Sequence, residues 1–294
     1  MDRGVLRLTK HHGAGNDFLV LLDAEGRRPL SRAEVAALCD RRRGVGADGV
    51  LRGLPGTDGA RLRMELRNAD GSVAEMSGNG IRCLVQAAVA AGWASPGEVA
   101  VDTDAGRRTV TFTPGPGPGL AHAEVAMGRA LLGDELVLGE PAALERARAV
   151  DMGNPHVVLL LAAPPGDDDV TGVGARLEAS VAGGANVEFL WAEPEGGEGA
   201  FAMRVWERGV GETLACGTGT CAAAAAVASW GLAAGPFRVR NPGGVLEVTL
   251  TEAGAVLGGP TAHVADVVVA EAVLAAMAEA AGTLSSVDEV AAPR

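Results

Sequence analysis

"AEMSGNGIRC", residues 74–83, is a glycine-rich turn running into an apolar stretch, and "LACGTGTCAA", residues 214–223, nearly repeats it. The glycines align, Gly78 and Gly80 on Gly217 and Gly219, and the residue before the first glycine is Ser77 in one copy and Cys216 in the other. The same offset of 139 residues carries Gly92 onto Gly231 and Asn68 onto Glu207. With a slip of one, "GNDFLVLL" (15–22) falls on "GNPHVVLL" (153–160) and "GAD" (46–48) on "GAN" (184–186). Matches in one order at nearly constant spacing mark a duplicated structural unit.

Each half mixes helix and strand patterns. "IRCLVQAAVAAG" and "TCAAAAAVASWG" are apolar helices with no polar face, so each is expected to be enclosed by its own sheet. "NDFLVLLD", "NPHVVLLLA", "RTVTFT" and "VLEVTLT" carry strand composition. "SRAEVAALCDRRR" is an amphipathic helix with Ser31 as N-cap and Glu34 at the capping-box position. Alternating Pro and Gly make "TPGPGPGLA", 113–121, a linker or long turn. The stretch from 265 begins strand-like with "ADVVVAEAV" and continues Ala-rich, either rejoining the first half or trailing as a helix. The division this suggests is 1–117 plus 265–294 for the half carrying Ser77, and 118–264 for the half carrying Cys216.

Composition excludes several classes. Acidic residues outnumber basic ones, 37 to 25, the opposite of what phosphate-backbone binding needs, so no nucleic-acid partner is expected. No run approaches the length of a membrane span and the N-terminus lacks an apolar signal region, so neither a membrane nor a signal peptide is expected. Cys39, Cys83, Cys216 and Cys221 have no metal-ligand spacing and are too few for a disulfide scaffold, which makes a reducing cytoplasm the default location. The partner is a small molecule.

A glycine-rich turn opening a helix aims backbone N–H groups outward at the positive end of the helix dipole, a place for a carboxylate or phosphate. One such turn is an ordinary helix start; two related copies point to a shared cleft. Cys216 stands in the N-cap region, where the dipole is expected to draw its thiol below the ordinary value of about 8.5. Cys221, one turn on, and Cys39 and Cys83 have the setting of small core residues. Glu207 and Arg208 are adjacent on a strand and face opposite ways, whereas Asn154 and His156, two apart, share a face. Asn16, Asn68, Asn79 and Asn186 lie in glycine-flanked turns, where Asn also serves the backbone alone. Residue types alone support an amino- or carboxylic-acid enzyme with a cysteine base or nucleophile.

The set "KHHGAGNDF", "RRRGVGADG", "RNADGSVAEMSGNGIRC", "DMGNPHVV", "GANVEF" and "RVWERGVGETLACGTGTCAA" resembles the diaminopimelate epimerase family, in family order over residues 10–223. The resemblance implies an α/β (α+β) fold of two pseudo-symmetric halves. Each is a curved, mostly antiparallel sheet wrapped around a central helix, with substrate in the cleft between. It implies epimerisation of LL- and meso-diaminopimelate on the route to lysine and peptidoglycan, through two cysteines and with no pyridoxal phosphate, other cofactor or metal. A homodimer is an assembly it leaves open. By position, Cys216 is one acid/base residue, and Glu207 and His156 assist the protonation changes of the cysteine pair. Asn16, Asn68, Asn154, Asn186, Glu207 and Arg208 are the substrate-binding side chains, the asparagines and Arg208 at the distal amino-acid end. Gly78, Asn79, Gly217 and Thr218 offer backbone N–H groups to the α-carboxylate.

The departure is Ser77, where the family pattern has its other cysteine. A hydroxyl is a far weaker acid than a thiol and misses the pKa that general catalysis needs. The expectation is an epimerase scaffold severely impaired as it stands, whether the serine is natural or engineered. The alternatives are a one-base lyase, dehydratase or racemase acting on another amino acid, and a non-catalytic amino-acid binding module.

Overall fold

Short apolar and alternating runs make strand the commonest element of this chain, and in the computed structural model, which describes residues 4–288, the strands form one continuous 17-stranded sheet. The first half contains β1 (Val5–Gly13), β2 (Asn16–Leu22), α1 (Arg32–Cys39), β3 (Gly49–Pro55), β4 (Leu62–Asn68) and β5 (Val73–Ala74). It continues through α2 (Gly78–Ala90), β6 (Gly97–Thr103), β7 (Gly106–Pro114) and β8 (Leu120–Gly128). The second contains β9 (Leu131–Glu135), β10 (Leu144–Asp151), β11 (Pro155–Leu161), α3 (Gly174–Ser180), β12 (Asn186–Ala192) and β13 (Ala200–Glu207). After β14 (Gly211–Thr213) come α4 (Gly217–Ser229), β15 (Phe237–Asn241), β16 (Gly244–Thr251), β17 (Gly254–Ala270) and α5 (Glu271–Asp288).

The duplication is visible in the pairing. β2–β3 is parallel, β3–β4 antiparallel, β4–β6 parallel, and β6–β7–β8 antiparallel. β11–β12, β12–β13, β13–β15 and β15–β16–β17 repeat those senses in order. Each sheet closes on a strand from the other half. β17 leaves β16, crosses β8, and from Ala262 to Ala270 pairs with β1. β8 leaves β7 and runs on into β9, which pairs with β10.

Each closed sheet encloses one helix. Every residue of α2 from Gly78 to Ala88 is buried, as is α4 from Gly217 to Val227 apart from Thr218. Leu84 and Val85 of α2 join Leu51, Met64, Val110 and Phe112 in a cluster that extends to Ala222, Ala223 and Ala226 of α4. Burying a side chain such as Leu84 contributes about 2 kcal/mol, which is why helices with no polar face can only lie inside. α4 fits its barrel because its inner turns are alanine.

Three local details refine the sequence reading. The capping box is present, with Glu34 N donating to Ser31 Oγ and Ser31 N to Glu34 Oε2, but α1 stops at Cys39. Asp40 leaves helical geometry at ψ 118° and its carboxylate takes the amides of Arg42 and Arg43, so "DRRR" is a turn rather than a last helical turn. The Pro/Gly segment forms the long turn of the β7–β8 hairpin, closed by Pro114 opposite Ala121, and not a spacer between halves. The strand-like "ADVVVAEAV" pairs with β1, and α5 then packs on α1, with Leu274 fully buried beside Val35 and Leu38. The end of that expected tail, 289–294, lies outside the described residues.

Candidate active site

The two glycine turns meet. A methyl group placed on Gly217 would lie 3.5 Å from the Cα of Gly78, and methyls on Gly78 and Gly217 would collide with the same atom, Leu257 Cδ2, at 2.7 and 2.8 Å. Glycine at both positions is what lets two helix N-termini approach each other across the junction. Ser77 and Cys216 are the N-caps, extended at φ −139° and −115°, and each takes the amide three residues on. The amides of Gly78, Asn79, Gly217 and Thr218 occupy the first two helical positions, where no intrahelical acceptor exists. Their convergence offers an anion donors from both halves at once.

Asn79 ties the junction together. Its Nδ2 donates to Ala215 O at 3.2 Å, next to Cys216 in the other half, and to Asn16 Oδ1 at 3.3 Å. Asn16 in turn donates to Asp48 at 2.7 Å.

On the Cys216 side the surroundings are ionisable. His156 Nδ1 lies 2.7 Å from Glu188 Oε1 with both side chains fully buried, and His156 Nε2 lies 3.0 Å from Asn154 Oδ1. Asn154 Nδ2 donates to Thr218 Oγ1 at 3.4 Å, and Thr218 Oγ1 stands 3.5 Å from Cys216 Sγ. A chain of hydrogen bonds therefore runs from Glu188 to the thiol. Glu207 accepts from the Thr213 hydroxyl, and its carboxyl is pushed up by burial and by the charge of Glu188 against that bond.

These carboxylates overturn one expectation. Burial, then Glu207 and Glu188, push the Cys216 thiol well above its ordinary value, and the bonds from Thr218 and the Gly219 amide oppose them without prevailing. The helix dipole acts in the expected direction, but it is local, while desolvation and two nearby negative charges act together against the thiolate.

The Ser77 side is apolar at the matching places. Val20 pairs with Leu51 as Val158 pairs with Glu188, so Leu51 and Phe18 occupy the positions of Glu188 and His156. A methyl on Gly80 would meet Leu51 at 3.2 Å, where one on Gly219 would meet Glu188 Oε1 at 2.5 Å.

Two of the residues picked from sequence point elsewhere. Asn68 is exposed and donates to Ser72 Oγ at 3.1 Å, within its own turn. Arg208 directs its guanidinium to Gly183 O at 3.1 Å, while its amide is held by the buried Asn186 at 2.9 Å. Two residues that the sequence reading did not select stand beside the helix starts: Glu188, two residues beyond Asn186 on β12, and Arg82, buried on α2 and bonded to Gly78 and Asn79. The signal for Glu188 was available, since it is the one charge in "NVEFLW" and lies on the face of Asn186.

The sequence matches the diaminopimelate epimerase family over residues 8–132 and 148–264. A diaminopimelate epimerase of Mycolicibacterium vanbaalenii is 42% identical over 283 residues, covering 88% of this chain and 96% of that protein. Another, of Mycobacterium ulcerans, is 42% identical over 281 residues, covering 87% and 94%. Among solved structures, a probable proline racemase from Agrobacterium radiobacter shares the fold, with a TM-score of 0.70 at 17% identity over 90% of this chain and 93% of that one.

Proposed function

This chain belongs to the diaminopimelate epimerase family, and we propose that it interconverts LL- and meso-2,6-diaminopimelate by moving the α-proton between two cap positions, Cys216 and residue 77, without pyridoxal phosphate. The observation that carries the reading is the near contact of two equivalent helix starts with a thiol capping one of them. In it the amides of Gly78, Asn79, Gly217 and Thr218 hold the α-carboxylate and take up the negative charge that grows as the Cα–H bond breaks. One cap removes the α-proton while the other delivers one to the opposite face.

Glu207 and the His156–Glu188 pair govern the proton on Cys216, and Asn154 and Thr218 orient the thiol. Asn16, Asn68, Asn186 and Arg208 form the binding set for the distal end; Asn68 and Arg208 would have to turn from their present partners. Ser77 leaves the pair unequal. A hydroxyl does not ionise near neutral pH, and Cys216 is held as thiol, so the resting chain has no ready base and turns over slowly.

The division into 1–117 plus 265–294 and 118–264, with the site between, belongs to the same reading, supported by β17 returning to β1. The boundary at 117 falls inside the β7–β8 turn, so β8, which continues the first half's antiparallel run, is the strand that this division shares between halves. So does a cytoplasmic location, supported by four free thiols. A homodimer would cover the groove lined by Val268 and Val273, each about half exposed.

Proton NMR of LL- and meso-diaminopimelate in D₂O tests the reading, with the chain as it stands and with Ser77→Cys. Exchange and inversion in the cysteine variant, slow or one-sided in the serine form, is the expected result. No α-proton exchange by either form with either isomer refutes it.

A further inference from the structure

Arg82 lies in the second turn of α2, five residues after Ser77, and has no exposed surface. Its Nη1 donates to Gly78 O at 3.2 Å and its Nη2 to Asn79 Oδ1 at 2.8 Å, while Nε has no partner. Among the described residues no carboxylate pairs with it. The thiols of Cys83 and Cys221 lie near it, but burial holds them protonated, with pKa values pushed up to about 11 and about 12, so they supply no counter-charge. Burial draws the Arg82 pKa down to about 10. Backbone has been thinned to admit it: a methyl on Gly13 or Gly259 would stand 3.1 or 3.2 Å from Nη2. The duplicated position under α4 is Cys221, so the second half holds no such cation.

A buried cation without an anion costs several kcal/mol, and native proteins rarely keep one without use. The two bonds it makes show where that use lies. Gly78 O belongs to the same peptide as the Asn79 N–H, so a cationic donor on that carbonyl polarises that amide. Asn79, held through Oδ1, donates from Nδ2 to Ala215 O, whose peptide carries the Cys216 N–H. One guanidinium thus reaches a peptide at each helix start.

We propose that Arg82 is a positioning residue for the α-carboxylate of the substrate, which is the anion that completes this buried cation. Arg82 does not touch the carboxylate; it acts through the Gly78–Asn79 peptide and the Asn79 side chain. The assignment rests on reading the two helix starts as the α-carboxylate site. It also gives the two cap positions different surroundings, a cation beneath residue 77 and carboxylates beside Cys216.

Calorimetric titration of LL-diaminopimelate into the chain as it stands, into Arg82→Met and into Arg82→Gln tests it, together with thermal unfolding of each without ligand. Both variants should bind at least about tenfold more weakly. The methionine variant should not unfold earlier than the parent, because replacing an uncompensated buried charge by an apolar side chain is neutral or stabilising. Equal affinity in a folded variant overturns the proposal, as does a lowered unfolding temperature with unchanged affinity, which is what a merely structural arginine would give. If Arg82→Met does not fold, Arg82→Gln, which keeps an amide donor but no charge, decides by the same affinity criterion. Absence of binding by the unsubstituted chain with either isomer refutes the substrate reading itself, and is recognised because the parent fails along with its variants.

Discussion

Ser77 and Cys216 cap α2 and α4 in the same way: Gly80 N donates to Ser77 Oγ at 3.0 Å and Gly219 N donates to Cys216 Sγ at 3.4 Å. The backbone makes no distinction between hydroxyl and thiol, and the difference is chemical alone. A thiol at position 77 therefore needs no rearrangement to take its place. Ser77→Cys is expected to raise epimerisation by about 10² to 10⁴-fold, the range that a positioned acid/base group supplies. Inversion followed by circular dichroism or chiral chromatography measures it, and a gain below tenfold would remove the two-base account.

The raised thiol of Cys216 has a sign that can be tested. The groups that act on it are Glu207, Glu188, Thr218 and the Gly219 amide, with His156 paired to Glu188, and the two carboxylates disfavour the thiolate. One-sided deuterium exchange by the Ser77 chain should rise with pH as thiolate forms. Glu207→Gln removes one negative charge, so the rising limb should move to lower pH, whatever the change in maximal rate. A limb that stays in place or moves to higher pH contradicts the electrostatics. The same substitution bears on stability. The folded-state carboxyl of Glu207 lies above its unfolded value, so the parent loses stability as pH rises from the unfolded pKa through the folded one. Glu207→Gln lacks that loss and should be the more stable form, relative to the parent, at pH 8 than at pH 4.

Gly217 and Leu257 offer a steric test of the junction. A methyl on Gly217 stands 2.8 Å from Leu257 Cδ2 and 3.5 Å from Gly78 Cα. Gly217→Ala is expected to destabilise by about 1–3 kcal/mol through overpacking and to abolish substrate binding by forcing the helix starts apart. Leu257→Ala alone opens a cavity, but in combination it removes the colliding atom. The double variant should therefore be less unstable than the sum of the two single ones, as coupled neighbours are. Additive losses in urea unfolding would mean that the collision is relieved elsewhere.

Local features were legible in the sequence, and those that depend on distant partners were not. The two glycine turns, the apolar helices and the Ser31–Glu34 cap are set by neighbours within a few residues, and they stand where the pattern puts them. The exchange of closing strands was not legible, because β17 meets β1 across almost the whole chain and apolar alternation does not name a partner. Arg82 looks like a solvated charge on an otherwise apolar helix, and only the closed sheet shows that no solvent reaches it. Cys216 shows the same limit from the other side. Its helix start is local and visible, whereas Glu188 comes from β12 and Glu207 from β13, so their charges entered only with the tertiary structure.

The pair His156–Glu188 and its counterpart Phe18–Leu51 allow the catalytic and packing roles of one position to be separated. Both pairs are buried at equivalent points of the two sheets, one ionisable and one apolar. Glu188→Leu alone leaves His156 facing a hydrocarbon wall and should cost about 3–5 kcal/mol, the loss typical when one partner of a buried pair is removed. His156→Phe with Glu188→Leu rebuilds in the second half what the first half already packs beneath α2. Replacing a buried ionisable pair by apolar residues of similar volume is often neutral or stabilising by about 1–4 kcal/mol, so the double variant should recover most or all of the stability lost by the single one. Placed on the Ser77→Cys background, it should fold, bind diaminopimelate, and lose inversion, because the chain from Glu188 to Cys216 is gone while the carboxylate donors at the helix starts remain. Retained inversion in a stable double variant would show that the pair serves packing alone and that Glu207 suffices to manage the proton on Cys216. Failure to recover stability would instead mean that the two halves are not equivalent at this layer, contrary to the register that places Leu51 and Glu188 opposite Val20 and Val158.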